Sequence, residues 1–224
     1  MRKPNFITQF EQRSHRNRFR FITELLSPLK RPIRILDVGG EFNFWNILDY
    51  KQIGKIEVIL LNRFSQDMLP TIFRSHVGDA RSLANYTSDD IDVIISNSVI
   101  GHAGSFGDQM AMATEIRRLG KRYFVQTPNH YFPIDWRTLL PFFHFLPLKV
   151  RARLINCMSL ASFGRCKSYS SALQWASVVR NLTHQELELL FPDATIVRKR
   201  FIGLTKLYIV YHGFDAPIIA AKLT

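Results

Sequence analysis

The sequence predicts an α/β protein, with a mostly parallel sheet covered by helices on both faces, a C-terminal antiparallel hairpin and an insertion after the fifth strand. Three observations predict it. Five short apolar runs, at residues 33–38, 56–61, 73–77, 91–96 and 122–126, each end in small or polar residues. Helical or polar stretches alternate with them, as right-handed crossovers between parallel strands require. Two further β-rich runs, 194–201 and 206–211, are separated around Gly203 with no helix between, so they pair antiparallel.

Residues 6–27 read as a helix, because Phe6, Phe10, Phe19, Ile22 and Leu26 recur at helical spacing and Pro28 stops the run. Ile33 to Val38 is a buried strand that feeds a turn at Gly39-Gly40. A short helix is expected over 43–50, then the second strand, ended by Asn62-Arg63. Another short helix is expected near 66–72, then a strand ended by Gly78-Asp79. After the fourth strand, a helix from Phe106 to Leu119 closes on Gly120 as its C-cap. The fifth strand stops at Thr127-Pro128.

Residues 128–180 break the alternation. They hold four of the ten prolines, both cysteines and many aromatics. They read as an insertion over the sheet's edge. Thr183-His184-Gln185-Glu186 fits a capping box that opens a helix to Leu190. The organisation expected is one domain over 1–224, with an N-terminal helical extension at 1–30 and the 128–180 insertion as a lid or acceptor region.

The chain has 224 residues, 46% of them hydrophobic, which is ample for a packed core. Thirty basic and 18 acidic residues give a net charge of +12, a field that favours anionic partners. Much of it sits in Arg2, Lys3, Arg13, Arg16, Arg18 and Arg20, and a second group is Lys149, Arg151, Arg153, Arg165 and Lys167. Two cysteines, Cys157 and Cys166, are too few for a disulfide framework and match no zinc spacing, so a reduced, cytoplasmic protein without a metal is expected. The first twenty residues carry charge throughout and lack the apolar core of a signal peptide. The longest apolar run, Leu139 to Val150, is broken by Pro141, His144 and Pro147; it is short for a span, but long enough to lie on a membrane surface.

In an open α/β sheet, ligands bind outside the carboxyl ends of the strands. Here those ends carry Asp37-Val38-Gly39-Gly40, Asn62, Gly78-Asp79-Ala80 and Ser96-Asn97-Ser98. A glycine after the first strand lets backbone approach a ligand closely. Asn62 follows Gly39 at the distance, about 20 residues, where a polar group reaches a ribose hydroxyl. Asp79 can accept a hydrogen bond from an exocyclic amine. Taken singly, each has a plainer reading as a tight turn, a turn former or a cap; their recurrence at successive strand ends favours a site. The G-x-G-x-x-G dinucleotide pattern is absent, as are the phosphate loop G-x-x-x-x-G-K-[ST], H-E-x-x-H and G-x-S-x-G.

The run Ile35-Leu36-Asp37-Val38-Gly39-Gly40 resembles the first motif of class I S-adenosylmethionine-dependent methyltransferases, and Asp79 after Val77-Gly78 resembles their adenine-contacting acid. Asp92 to His102 is similar to the fourth-strand motif of the "methyltransferase 11"-like bacterial enzymes, and Gly120 to Asn129 resembles their fifth strand and its exit. The resemblance covers about residues 30–130 and, in outline, 183–212. It implies a Rossmann-like seven-stranded sheet and a cofactor, S-adenosylmethionine, held by Asp37, Gly39, Gly40, Asn62, Asp79, Ala80, Asn97 and Ser98. Three departures stand out. Glu41 and Asn43 occupy the places of the next two motif glycines, Asn62 replaces the ribose-binding acid, and Gly101 replaces the common Glu before His102.

Methyl transfer from a sulfonium needs alignment of acceptor and methyl, and a base where the acceptor is a hydroxyl. His102, past the fourth strand, is the first candidate base; His130 and Tyr131, past the fifth, face the acceptor side. The plainer alternative is that His102 supports the loop or lies in solvent. The acceptor expected by analogy is a small molecule, a sugar or a lipid-linked glycan. Two rivals remain. An RNA-directed methyltransferase fits the charge, although Asn97-Ser98-Val99-Ile100 stands where base-directed enzymes often carry N/D-P-P-Y/F/W. A non-catalytic binding module of the same fold fits the lost glycines. A peripheral membrane contact through Lys149, Arg151 and Arg153 is a further partner reading.

Overall fold

A computed structural model describes residues 21–47, 50–135, 138–158, 166 and 168–214. Most of the N-terminal helix expected over 6–27 lies outside these residues, as do the basic residues named from Arg2 to Arg20 and Arg165 and Lys167; residues 21–26 are helical.

The strands are β1 (Ile33–Val38), β2 (Ile56–Asn62), β3 (Phe73–Val77), β4 (Val93–Asn97), β5 (Tyr123–Pro128), β6 (Thr195–Phe201) and β7 (Leu204–His212). They form a seven-stranded sheet in the order β3-β2-β1-β4-β5-β7-β6. The first five pair in parallel, and β7 runs antiparallel to both β5 and β6. This is the predicted mostly parallel sheet with a terminal hairpin. The hairpin turns on Ile202 and Gly203, both with positive φ, and Phe201 pairs with Leu204 across it. Two positive φ angles in a two-residue loop are what a type I′ hairpin turn requires.

The helices are α1 (Phe42–Ile47), α2 (Phe106–Leu119), α3 (Leu148–Cys157), α4 (Tyr169–Val178) and α5 (His184–Leu190). Side chains alternate across β1, β4 and β5, so each face has its own core. On one face Leu36, Ile94, Tyr123 and Val125 pack with Met112 and Ile116 of α2 and Leu187 of α5. On the other, Ile35, Ile95 and Phe124 pack with Phe21, Leu25 and Trp45. Capping boxes start α2, through Ser105 and Asp108, and α5, through Thr183 and Glu186 as predicted. Gly120 ends α2 in extended conformation, with its N–H on the Ile116 carbonyl, rather than in the left-handed form common at helix ends.

The helix expected near 66–72 is absent, and an irregular loop joins β2 to β3. Pro70 explains it: proline disfavours helical backbone at Leu69 and removes a donor. Met68 has a positive φ, and the Pro70 carbonyl accepts from the Phe73 amide to start β3. The helix expected over 43–50 divides into α1 and a 3-10 turn at Tyr50–Ile53. Among its described residues the insertion holds two helices, α3 and α4, which enclose a small core of Phe143, Ala152, Ile155, Ala172 and Ala176.

Candidate functional site

The chain passes from β1 outward through β2 and β3, then crosses back to lay β4 on the other side of β1. The carboxyl ends of β1 and β4 therefore flank the switch point, where a crevice opens in this class of sheet. Four connections meet there. The Gly39 amide donates to the Leu61 carbonyl at 2.7 Å, and the Gly78 amide to the Asn62 carbonyl at 2.9 Å. The Asn62 side-chain amide donates to the Gly40 carbonyl at 3.3 Å, and Gln66 donates to the same oxygen at 2.9 Å. A Cβ on Gly39, which has φ +74°, would lie 2.4 Å from Val99 in the loop after β4.

Asp37 is buried at the end of β1 and accepts a hydrogen bond from Trp45 Nε1 of α1 at 2.7 Å. Burial pushes its pKa up to about 7, against the opposing pull of the indole donor. A Cβ on Gly40 would meet the Asp37 carboxylate at 2.2 Å, so glycine at 40 is what admits this carboxylate. Asn62 also accepts from the Arg63 amide, so its amide group braces the loops after β1 and β2. Asp79 follows β3 and is gripped by Arg81, whose Nη2 donates to it at 2.6 Å; Arg81 also reaches Asp108 of α2 at 2.6 Å. The Arg81 guanidinium holds the Asp79 carboxyl below its ordinary range, so it is charged. Ala80 packs against the α2-side core, and Asn97 accepts from Gln126 Nε2 at 3.1 Å. Ser98 has a positive φ, and its amide donates to the Gln126 carbonyl.

The candidate acceptor-side residues form a second group. His102 ends the 3-10 turn Ile100–His102 and lines a cavity of about 160 Å³ with Ser98, Asn129 and Lys206. His130 lines an adjoining cavity of similar volume with His144, Arg151 and Trp175; the two share Asp135 and Asn181. Burial lowers the His130 pKa, leaving a neutral imidazole at pH 7 that can accept a proton. Tyr131 is largely exposed, with its ring against His130 at 5.2 Å between centroids.

Sequence reasoning missed the clamp behind the His102 turn. Gln109 of α2 donates to the Ile100 carbonyl at 3.1 Å and to the Arg180 carbonyl at 2.8 Å, and accepts from Arg180 Nη1 at 2.7 Å. Arg180 also pairs with Glu186 of α5, and its amide donates to the Gly101 carbonyl at 2.8 Å. A Cβ on Gly101 would lie 3.3 Å from the Arg180 carbonyl, a tight approach that accounts for glycine there. Leu182 then takes the His130 amide, so residues 180–182 tie the loops after β4 and β5 together. Arg180 ends the 128–180 insertion and Asn181 follows it, between α4 and α5, where no local pattern marks them.

No protein-family model matches the chain, and no curated protein matches it in sequence. Solved structures do match in fold. A SAM-dependent methyltransferase from Aquifex aeolicus superposes with a TM-score of 0.52 at 13% identity, over 94% of this chain and 98% of that one. Magnesium protoporphyrin IX methyltransferase (ChlM) from Synechocystis PCC 6803, with bound SAH, gives 0.54 at 11% identity, over 94% and 88%. The CurJ carbon methyltransferase gives 0.55 at 14% identity, over 88% and 53%. At such identities the likeness is one of fold, the Rossmann-like sheet of class I methyltransferases.

Backbone without a Cβ at Gly39, an amide at Asn62 and a charged carboxylate at Asp79 follow successive strands around the switch point, a donor set whose chemistry suits an S-adenosyl cofactor; in this structure the Asn62 amide bonds Gly40 and Arg63, and Asp79 bonds Arg81.

Proposed function

We propose that the chain is an S-adenosylmethionine-dependent methyltransferase acting on a small-molecule, sugar or lipid-linked acceptor. The observation that carries this reading is the contact of the loops after β1, β2 and β4 at the switch point, joined through Gly39, Gly40, Asn62 and Val99. The bound cofactor supplies an electrophilic methyl group on sulfur. Gly39 would bring backbone close to it, Asn62 would meet its ribose and Asp79 would accept from its exocyclic amine, with Gly40, Ala80, Asn97 and Ser98 around them and Asp37, buried on Trp45, supporting the turn from beneath.

His102 and His130 line the two cavities on the acceptor side and would take a proton from an acceptor hydroxyl. Tyr131 borders the same side. The insertion, whose His144, Arg151 and Trp175 line the cavity beside His130, would serve as the lid over the acceptor. Transfer of labelled methyl from S-adenosylmethionine into a panel of glycans and small metabolites tests this reading. His102→Ala and His130→Ala should each lower transfer at least about tenfold while cofactor binding persists. Transfer into RNA, with none into the panel, would favour the RNA-directed alternative instead.

A further inference from the structure

The insertion presents an apolar surface that the fold leaves in solvent. Between β5 and α3 the chain turns so that Phe143 enters the small core of α3 and α4 while its neighbours face outward. Phe142 is 59% exposed, Phe145 46%, Leu148 37% and Val150 39%. Phe142 holds φ +56°, a left-handed conformation that costs a bulky residue on the order of 1 kcal/mol or more.

The rings are continuous. Phe142 lies 6.4 Å from Phe145, Phe145 lies 5.3 Å from His130, and His130 lies 5.2 Å from Tyr131. Lys149 and Arg153, four residues apart and therefore on one face of α3, are both exposed, with Val150 beside them. No acidic residue occurs from 136 to 185, and the whole chain carries a charge of +12. Among the described residues no helix is long and apolar enough to cross a membrane. An apolar wedge set among lysine and arginine matches the chemistry of an anionic bilayer surface, where rings enter the acyl boundary and cations meet headgroup phosphates. A protein partner would need complementary acid and a shaped groove; a bilayer needs only the wedge and the charge.

We propose that the surface formed by Phe142, Phe145, Leu148, Val150, Lys149 and Arg153 docks this protein on anionic lipid membranes. His130 belongs both to this surface and to the acceptor-side cavity, so the docked protein holds that cavity at the lipid interface. The docking does not depend on methyl transfer.

Sedimentation with vesicles tests it. The full chain should bind vesicles of equal parts phosphatidylcholine and phosphatidylglycerol, not phosphatidylcholine alone, and release as salt rises. Phe142→Asn with Leu148→Asn should weaken binding about tenfold or more, because asparagine suits the left-handed backbone yet removes the exposed ring that would enter the bilayer. Lys149→Glu with Arg153→Glu should weaken it comparably; a thermal midpoint like the wild type's in either pair establishes that the loss is not unfolding. Three results would overturn the proposal: no binding to the mixed vesicles, binding unchanged by the asparagine pair, or a wild-type dimer that the asparagine pair makes monomeric.

Discussion

Asp37 and Trp45 form a hydrogen bond of 2.7 Å inside the core, linking the end of β1 to α1 directly beneath the Gly39-Gly40 turn. The carboxyl is buried and its pKa is raised to about 7. A pKa raised on folding means that the folded state holds the proton more tightly than the unfolded chain. The stability this gives is complete below about pH 4 and is lost as pH rises through about 7. The loss is on the order of a few kcal/mol, at about 1.4 kcal/mol per pH unit. Asp37→Asn keeps an acceptor for Trp45 and cannot ionise. Urea unfolding at pH 5 and pH 8 should show the variant gaining on the wild type at the higher pH.

Gly39 carries two separate demands, a positive φ and the close approach of Val99. Gly39→Ala should cost about 2–4 kcal/mol, from left-handed backbone plus overpacking. Adding Val99→Ala should recover the overpacking part and leave about 1–2 kcal/mol. A double-mutant cycle from chemical denaturation measures the coupling. Independent, additive costs would contradict the contact.

Ile202 occupies a left-handed turn position and is 85% exposed. A β-branched residue is poorly suited there, whereas asparagine is favoured. Ile202→Asn should therefore stabilise the protein by about 0.5–1 kcal/mol, read as a raised thermal midpoint.

Gln109 is buried in α2 and satisfies the carbonyls of Ile100 and Arg180 while accepting from Arg180. Gln109→Leu keeps the volume and strands these groups, at a cost of about 2–3 kcal/mol. Hydrogen exchange should rise at the Arg180 and His102 amides ahead of the rest of the sheet. Uniform loosening would deny the clamp a local role.

The sheet was legible because its strands are apolar runs with polar ends, a signal carried by each segment alone. The terminal hairpin was legible for the same reason, with Gly203 marking its turn. The helix expected near 66–72 is absent because strand–helix alternation alone suggested it, whereas Pro70 disfavours helical backbone there. Candidate residues at strand ends, such as Gly39 and Asn62, were visible because topology alone sends strand ends to one edge. The Gln109–Arg180 clamp joins residues 71 apart, and nothing local in either segment announces the other. The paired helices of the insertion were hidden by its prolines, which fall before α3 rather than inside it.

Calorimetry of S-adenosylmethionine and S-adenosylhomocysteine on the purified chain tests the central claim most directly, with Asp79→Ala as control and unfolding midpoints to verify the fold. The account predicts micromolar binding that Asp79→Ala abolishes or weakens at least about thirtyfold, as losing a charge-assisted hydrogen bond implies. Absence of binding by the folded wild-type protein, or equal binding by the variant, would contradict it.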